Sequence, residues 1–205
     1  MKAIIPTLIL SFFLIISCQH KHDHDHDGHD HPHQESATHD HDGHSHSDQD
    51  HGAVDFDAKL KELGIQLTQP SPPVANYVNI TQAGNILFLA GKGPSKPEGG
   101  YITGKVGQDL TVEEGYAAAQ LAGVAQLSVL KDHLGDLSKV KRILKVKGMV
   151  NATPDFTNHP EVINGYSDMM VSVFGEKGKH ARAAVGMGSL PRNIAVEIEM
   201  IVEIY

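Results

Sequence analysis

The chain has 205 residues, of which 40% are hydrophobic and 20% are charged, enough for one domain of ordinary size but too few for two large ones. Twelve of its 15 histidines lie between His20 and His51. Residues 19–52 contain nine acidic residues and one basic residue, whereas the charges of residues 53–205 nearly cancel. A nearly neutral domain without tryptophan lacks the basic surface of nucleic-acid-binding proteins, so we expect no nucleic-acid partner.

The first 17 residues are predicted to be a lipoprotein signal peptide. Lys2 precedes an apolar run, residues 3–16, that has the length of a signal-peptide core and is short for a membrane-spanning helix. The run ends in Ile-Ile-Ser before Cys18, which resembles the lipobox of bacterial lipoproteins, and Cys18 is the only cysteine. We therefore expect export, lipidation at Cys18 and anchoring in a membrane. Gln19 after the cysteine favours the outer membrane, with the domain facing the periplasm. The alternative is a free thiol behind an ordinary signal peptide.

Residues 18–52 are predicted to be a disordered, His/Asp-rich tether. Between Gln19 and Gly52 there is no Leu, Ile, Val, Met or aromatic residue, so no burial offsets the entropic cost of ordering the segment. Imidazoles alternating with carboxylates suit Zn²⁺, Ni²⁺ and Cu²⁺, and we expect several weak, overlapping sites. The candidate metal ligands are His22, His24, His26, His29, His31, His33, His39, His41, His44 and His46. The alternative is a solubilising spacer that binds metal only incidentally.

Apolar periodicity begins at Val54 and predicts an α+β domain over residues 53–205. A short helix is expected after Asp55, and Gly84 lies between the two strands of a hairpin. Thr111 and Glu114 have the spacing of a capping box at the start of a long helix. The predicted strands are 77–80, 86–90, 140–150, 181–186 and 195–204, and the longer helices run from Thr111 to Leu134 and from about Pro160 to Gly175. The order β-β-α-β-α-β-β predicts a mixed sheet with two helices packed on one face.

The last quarter of the sequence contains the most specific motif. It consists of Arg182 followed by Ala-Ala-Val-Gly, then Leu190-Pro191, then Val196-Glu197-Ile198-Glu199. This pattern resembles the signature of the RidA (YjgF, reactive intermediate deaminase) family, and the likeness extends from Gly64 to Tyr205 through residues 74–78, 88–94 and 151–156. The resemblance implies a chorismate-mutase-like α+β fold that assembles as a homotrimer, with sites in the clefts between subunits.

The resemblance also implies an activity and the residues that perform it. Members of the family hydrolyse reactive enamines and imines to 2-oxo acids and ammonia without a cofactor, so none is expected for the domain. By position, Arg182 would hold a substrate carboxylate, which its planar guanidinium can bind through two hydrogen bonds. Glu197 would position or activate water. Tyr77 and Asn164 would line the substrate pocket, and Gly91 would supply a backbone N–H.

Two departures from the family pattern remove polar groups. Ala90 stands where deaminase-active members commonly have Ser, and Ala184 stands where many have Cys. His159 and His180 are predicted to be helix-start and loop residues rather than ligands. Some members are described as ribonucleases, but a nearly neutral domain attracts phosphates weakly.

Two hypotheses follow. The first is a membrane-tethered deaminase of small imino acids, and the second is a Zn-, Ni- or Cu-binding lipoprotein whose domain is a non-catalytic ligand-binding or trimeric scaffold.

Overall fold

The computed structural model describes residues 54–205. The predicted signal peptide, the lipidation site Cys18, and the tether with its candidate metal ligands lie outside the described residues. Within the described part of the chain, no helix is long and apolar enough to cross a membrane.

The described residues form three helices and five strands in the predicted order. The helices are α1 (Phe56–Glu62), α2 (Val112–Leu134) and α3 (His159–Phe174), and the strands are β1 (Ile80–Ala83), β2 (Ile86–Lys92), β3 (Val140–Asn151), β4 (Ala181–Met187) and β5 (Val196–Ile204). The ends of α2 confirm the sequence prediction. The Glu114 N–H donates to Thr111 Oγ1, the Thr111 N–H donates to a Glu114 carboxylate oxygen, and the helix stops at Gly135, which has a positive φ.

The first hairpin strand lies further along the chain than its predicted position at residues 77–80. Ala83 pairs directly with Ile86, so only Gly84 and Asn85 form the turn and β1 runs up to it. Gly84 has a φ of +59°, which suits a two-residue hairpin turn. Tyr77 therefore lies outside the strand with 49% of its surface exposed.

The five strands form one mixed sheet in the order β1-β2-β5-β3-β4, in which only β3 and β4 run parallel. Helices α2 and α3 cover one face, as predicted. Alternate residues of β5 face them, and the buried Met200 accepts a hydrogen bond at its sulfur from the Tyr166 hydroxyl of α3. On β3, Gly148 leaves space for the Ile163 side chain of α3. The fold is thus the α+β, chorismate-mutase-like arrangement that the family resemblance implies.

Helix α1 packs at the edge of this core. Asp55 caps it by accepting from the N–H groups of Asp57 and Ala58. The Phe56 and Phe174 rings lie 5.4 Å apart, which fastens α1 to the end of α3. The main apolar core therefore lies between the sheet and its helices, and the other face of the sheet carries polar side chains such as Glu199 together with exposed apolar ones such as Phe88.

Candidate functional site

A cavity of about 520 Å³ lies beside the end of β2. Its walls come from the segment before β1, the last residues of β2, one side of α2, the loop before β5, and β5 itself. Three of the predicted site residues line it: Tyr77, Gly91 and Glu197. Lys92 and Arg192, which sequence reasoning did not select, line it as well.

The cavity opens where the ladder between β2 and β5 is interrupted. Leu89 pairs with Met200, but the next aligned pair joins Lys92 to Ile198, so three steps along β2 match two along β5. Such a bulge leaves backbone groups without ladder partners. The fully buried Gln126 of α2 donates from Nε2 to the carbonyls of Ala90 at 3.1 Å and Ile198 at 2.7 Å. Gln126 therefore fixes the backbone on both sides of the bulge.

Gly91 permits Glu197 to lie against the backbone of β2. A Cβ at position 91 would collide with the Glu197 carboxylate, so a larger residue there would displace the acid. Partial burial and, to a smaller extent, the like charge of Glu199 raise the pKa of Glu197, while Lys147 opposes this. A half-buried carboxylate with a raised pKa is suited to accept a proton from water.

Arg182 belongs to a second polar cluster, between β4 and α3. Its Nη1 donates to Asn164 Oδ1 at 2.8 Å and to Ser167 Oγ at 3.1 Å. The other side of this cluster is His180, whose Nε2 lies 3.0 Å from Ser167 Oγ and whose Nδ1 lies 2.7 Å from the Gly178 carbonyl. Because the Gly178 carbonyl can only accept, it must receive a hydrogen from His180, and in the neutral ring Nε2 then accepts from the Ser167 hydroxyl. That assigns the His180 ring hydrogen to Nδ1, facing Gly178.

The environment of His180 agrees with this neutral tautomer. Burial lowers its pKa and the nearby Arg182 charge lowers it further, against the hydrogen bond to the Gly178 carbonyl. His180 directly precedes β4 and His159 begins α3, as the sequence predicts. The contact from His180 through Ser167 to Arg182 was not predicted, and a Ser at this position of α3 offers no sequence signal for it.

The acid and the guanidinium lie on opposite faces of the sheet. Arg182 aligns with Val146 of β3 and, across it, with Met200 of β5, on the face covered by the helices. Glu197 alternates with the buried Val196 and Ile198, so it points to the other face. One copy of the described chain therefore does not bring Arg182 and Glu197 together, and Asn164 stays with Arg182.

The two departures from the family pattern have different surroundings. Ala90 is part of the bulge, where its N–H donates to the Asn79 carbonyl and its own carbonyl accepts from Gln126. Ala184 faces α3 and packs against the apolar core. Within residues 54–205, no three His, Cys, Asp or Glu side chains are grouped so as to hold a metal ion.

Comparison with known proteins identifies the family. Residues 57–204 match the family described as "YjgF/chorismate mutase-like, putative endoribonuclease". The chain is 44% identical over 148 residues to a Trypanosoma cruzi protein named TCP17, covering 72% of this chain and 92% of that one. It is 33% identical over 138 residues to a RutC family protein of Pyrococcus horikoshii, covering 65% of this chain and 92% of the relative.

Solved structures agree with the sequence matches. A protein of unknown function from Agrobacterium tumefaciens is 45% identical with a TM-score of 0.68, over 73% of this chain and 94% of that one. A Shewanella oneidensis protein described as a "putative endoribonuclease" is 30% identical with a TM-score of 0.70, over 73% of this chain and 99% of that one. Sequence motif, fold and relatives agree, and the chain belongs to the YjgF/RidA family.

Proposed function

We propose that the domain hydrolyses small reactive imino acids to 2-oxo acids and ammonia, at sites shared between neighbouring copies of the chain. Family membership supports a general imine-deaminase or endoribonuclease-like function. The near-neutral charge of residues 53–205 favours a small substrate over a polyanion such as RNA. The observation that carries the proposal is the half-buried Glu197 carboxylate, which lies against Gly91 in the cavity and has a raised pKa.

In the proposed reaction, Glu197 acts on water. Water attacks the imine carbon while Glu197 accepts one of its protons, and the carboxyl group then returns that proton to the nitrogen. In the resulting carbinolamine, Glu197 takes the hydroxyl proton and passes it to the amine as the carbon–nitrogen bond breaks, so ammonia leaves and the carbonyl of a 2-oxo acid remains. No cofactor is needed because the reaction consumes only water and no electrons are transferred.

Arg182 is proposed to hold the substrate carboxylate. Its two partners, Asn164 and Ser167, are neutral, and no carboxylate pairs with it among residues 54–205. A guanidinium that is positioned but not neutralised can still bind an anion through charge-assisted hydrogen bonds. Since Glu197 faces the opposite side of the sheet, we propose that Arg182 of one copy meets Glu197 of the next in a homotrimer. Rotational symmetry would then create three identical sites.

Subunit complementation tests this arrangement. Arg182→Ala and Glu197→Gln should each abolish most imine hydrolysis. In trimers assembled from equal amounts of the two variants, about one quarter of the sites would combine an intact arginine with an intact glutamate. Activity near that fraction is expected, with each variant reassembled alone as the control. No recovery on mixing would refute the shared site, and wild-type rates equal to buffer would refute the deaminase.

We further propose that residues 18–52 tether the protein to a membrane through lipidated Cys18 and bind Zn²⁺, Ni²⁺ or Cu²⁺. The twelve histidines between His20 and His51, interleaved with aspartates, carry this proposal. Neutral imidazole binds metal, so affinity should be high near pH 7.5 and lost well below the reference pKa of about 6.5. Calorimetry with and without residues 20–51 tests the binding, and equal metal stoichiometry would exclude it. Release of a Cys18→Ser variant from membranes tests the anchor.

A further inference from the structure

Lys92 introduces a positive charge into the cavity that no acidic side chain neutralises within the described residues. It is the residue after Gly91, lines the cavity and is half-buried. Its Nζ donates to Asn79 Oδ1 at 2.6 Å, the one hydrogen bond it makes within residues 54–205. Asn79 is itself oriented, because its Nδ2 donates to the Ser71 carbonyl and so turns Oδ1 towards the lysine.

Burial of this ammonium group is compensated by one hydrogen bond and, within residues 54–205, by no opposite charge. Desolvation lowers the pKa of Lys92, and no carboxylate acts in the opposite direction. An ammonium has three N–H donors, of which Asn79 accepts one. A partly desolvated cation with free donors gains more from an anionic partner than a fully exposed lysine does.

The charged groups that line the cavity are Lys92, Arg192 and Glu197. None of the three forms a salt bridge within the described part of the chain. The cavity wall is therefore net positive before any neighbouring copy contributes Arg182, and it favours a ligand with more than one negative charge.

We propose that the cavity selects imino acids that carry a second, distal carboxylate, and that Lys92, oriented by Asn79, binds that group. The inference rests on the proposed deaminase function and names its substrate class. Lys92 pairs with Ile198 on the helix-covered side of the sheet and Glu197 points to the other side, so the two reach the cavity from opposite sides of the bulge. Arg182 of a neighbouring copy would hold the carboxylate next to the imine, Glu197 would act on water at the imine carbon, and Lys92 would hold the far end of the substrate across the bulge. The imines of glutamate and aspartate have this chemistry.

A matched substrate pair isolates the distal carboxylate. The imines of glutamate and norvaline, made in solution by an amino-acid oxidase, have the same chain length and differ in a terminal carboxylate against a methyl group. With the purified full chain we expect higher kcat/KM for the glutamate imine. Lys92→Met should lower the ratio of the two kcat/KM values by about 10- to 100-fold, the range for losing one charge-assisted hydrogen bond. An unchanged ratio would overturn the proposal.

Two more variants separate charge from packing. Asn79→Asp would supply an internal counter-ion for Lys92, so the preference for the glutamate imine should fall although the lysine is intact. Lys92→Arg retains the charge and should retain more of the preference than Lys92→Met. Lys61→Met, at an exposed site on α1, is the control and should not move the ratio. A fall with Lys61→Met equal to that with Lys92→Met would reduce the effect to overall charge and overturn the assignment.

Binding of the products distinguishes this inference from the proposed function. We expect 2-oxoglutarate to bind more tightly than 2-oxopentanoate, and Lys92→Met to remove the difference, as measured by calorimetry. If the wild type hydrolyses both imines without preference and binds both oxo acids equally, the proposed deaminase function is supported and the proposed role of Lys92 in binding a distal carboxylate is refuted. If it hydrolyses neither imine but binds 2-oxoglutarate through Lys92, the proposed deaminase function is refuted and the dicarboxylate site is supported.

Discussion

The cavity beside β2 and the Arg182 cluster between β4 and α3 differ in how completely their polar groups are paired. In the cavity, Glu197 and Lys92 are partly desolvated, and neither forms a salt bridge within residues 54–205. In the cluster, Arg182, Ser167 and His180 form a continuous hydrogen-bonded chain of neutral partners around one cation. The first region thus keeps charged groups without charged partners, and the second holds one guanidinium in a fixed orientation.

The strongest test of the Arg182 cluster is to replace the guanidinium by another cation. Arg182→Lys keeps the charge but loses the planar pair of donors, so kcat/KM for imine hydrolysis should fall about 10- to 100-fold. Arg142→Lys is the matched control, because Arg142 is an exposed strand arginine paired with Glu203 at the other end of the sheet. Steady-state kinetics of the two variants decide the point. Equal activity of Arg182→Lys and the wild type would remove Arg182 from the site.

The matching test of the cavity moves the acid without removing it. Gly91→Ala places a methyl group where the Glu197 carboxylate lies, so the carboxylate must shift. We expect kcat to fall about tenfold, because small misplacements of catalytic groups are costly. The melting temperature should change little, since the displaced atoms are the end of a flexible side chain. Gly188→Ala, which faces open space, is the control. Wild-type kcat in Gly91→Ala would show that the position of Glu197 does not matter.

The pH dependence of the rate distinguishes the two regions further. Glu197 must be ionised to accept a proton, so kcat/KM should fall as pH falls through its raised pKa. Glu199→Gln removes a like charge and should move this acid limb to lower pH. Lys147→Met removes an opposing charge and should move the limb to higher pH.

These two variants control for each other, because Lys147 and Glu199 are 3.8 Å apart and both substitutions break the same surface pair. Opposite shifts of the limb in pH–rate profiles are expected. Shifts in the same direction would contradict the assignment of the limb to Glu197.

Much of the fold could be predicted from the sequence because its elements are signalled locally. The capping box at Thr111, the stop at Gly135 and the alternation along β5 each depend on neighbouring residues and are confirmed. The predicted position of the first hairpin strand was wrong. Tyr77 is a residue type common in strands, but the turn at Gly84 determines the actual register.

The candidate site was harder to predict because its contacts are long-range. Arg182 and Glu197 occur in one continuous motif, but only the alternation of two strands separated by β3 shows that they face opposite ways. Gln126 lies in an ordinary helical stretch. Its role, donating hydrogen bonds to the backbone on both sides of the bulge, depends on a bulge that no local sequence pattern predicts. Lys92 could have been selected from the sequence, because it directly follows the predicted site residue Gly91. Its lack of a counter-ion, however, is visible only in three dimensions.

The smallest expected effect concerns stability, and it tests whether the Arg182 cluster depends on a neutral His180. Burial lowers the folded-state pKa of His180 below 6.5, with Arg182 as the charged group beside it, so the folded protein binds fewer protons than the unfolded chain below that pH. Stability should therefore be fully present above about pH 6.5 and should fall as pH drops towards the folded-state pKa. The effect is small because His180 is only half-buried.

His180→Gln, which can still accept from Ser167, should flatten this part of the stability curve measured by denaturant unfolding. His133→Gln, at an exposed site near the end of α2, should leave it as in the wild type. If both variants follow the wild-type curve, the orientation of Arg182 does not depend on the protonation of His180, and the hydrogen bond from Ser167 must tolerate an imidazolium.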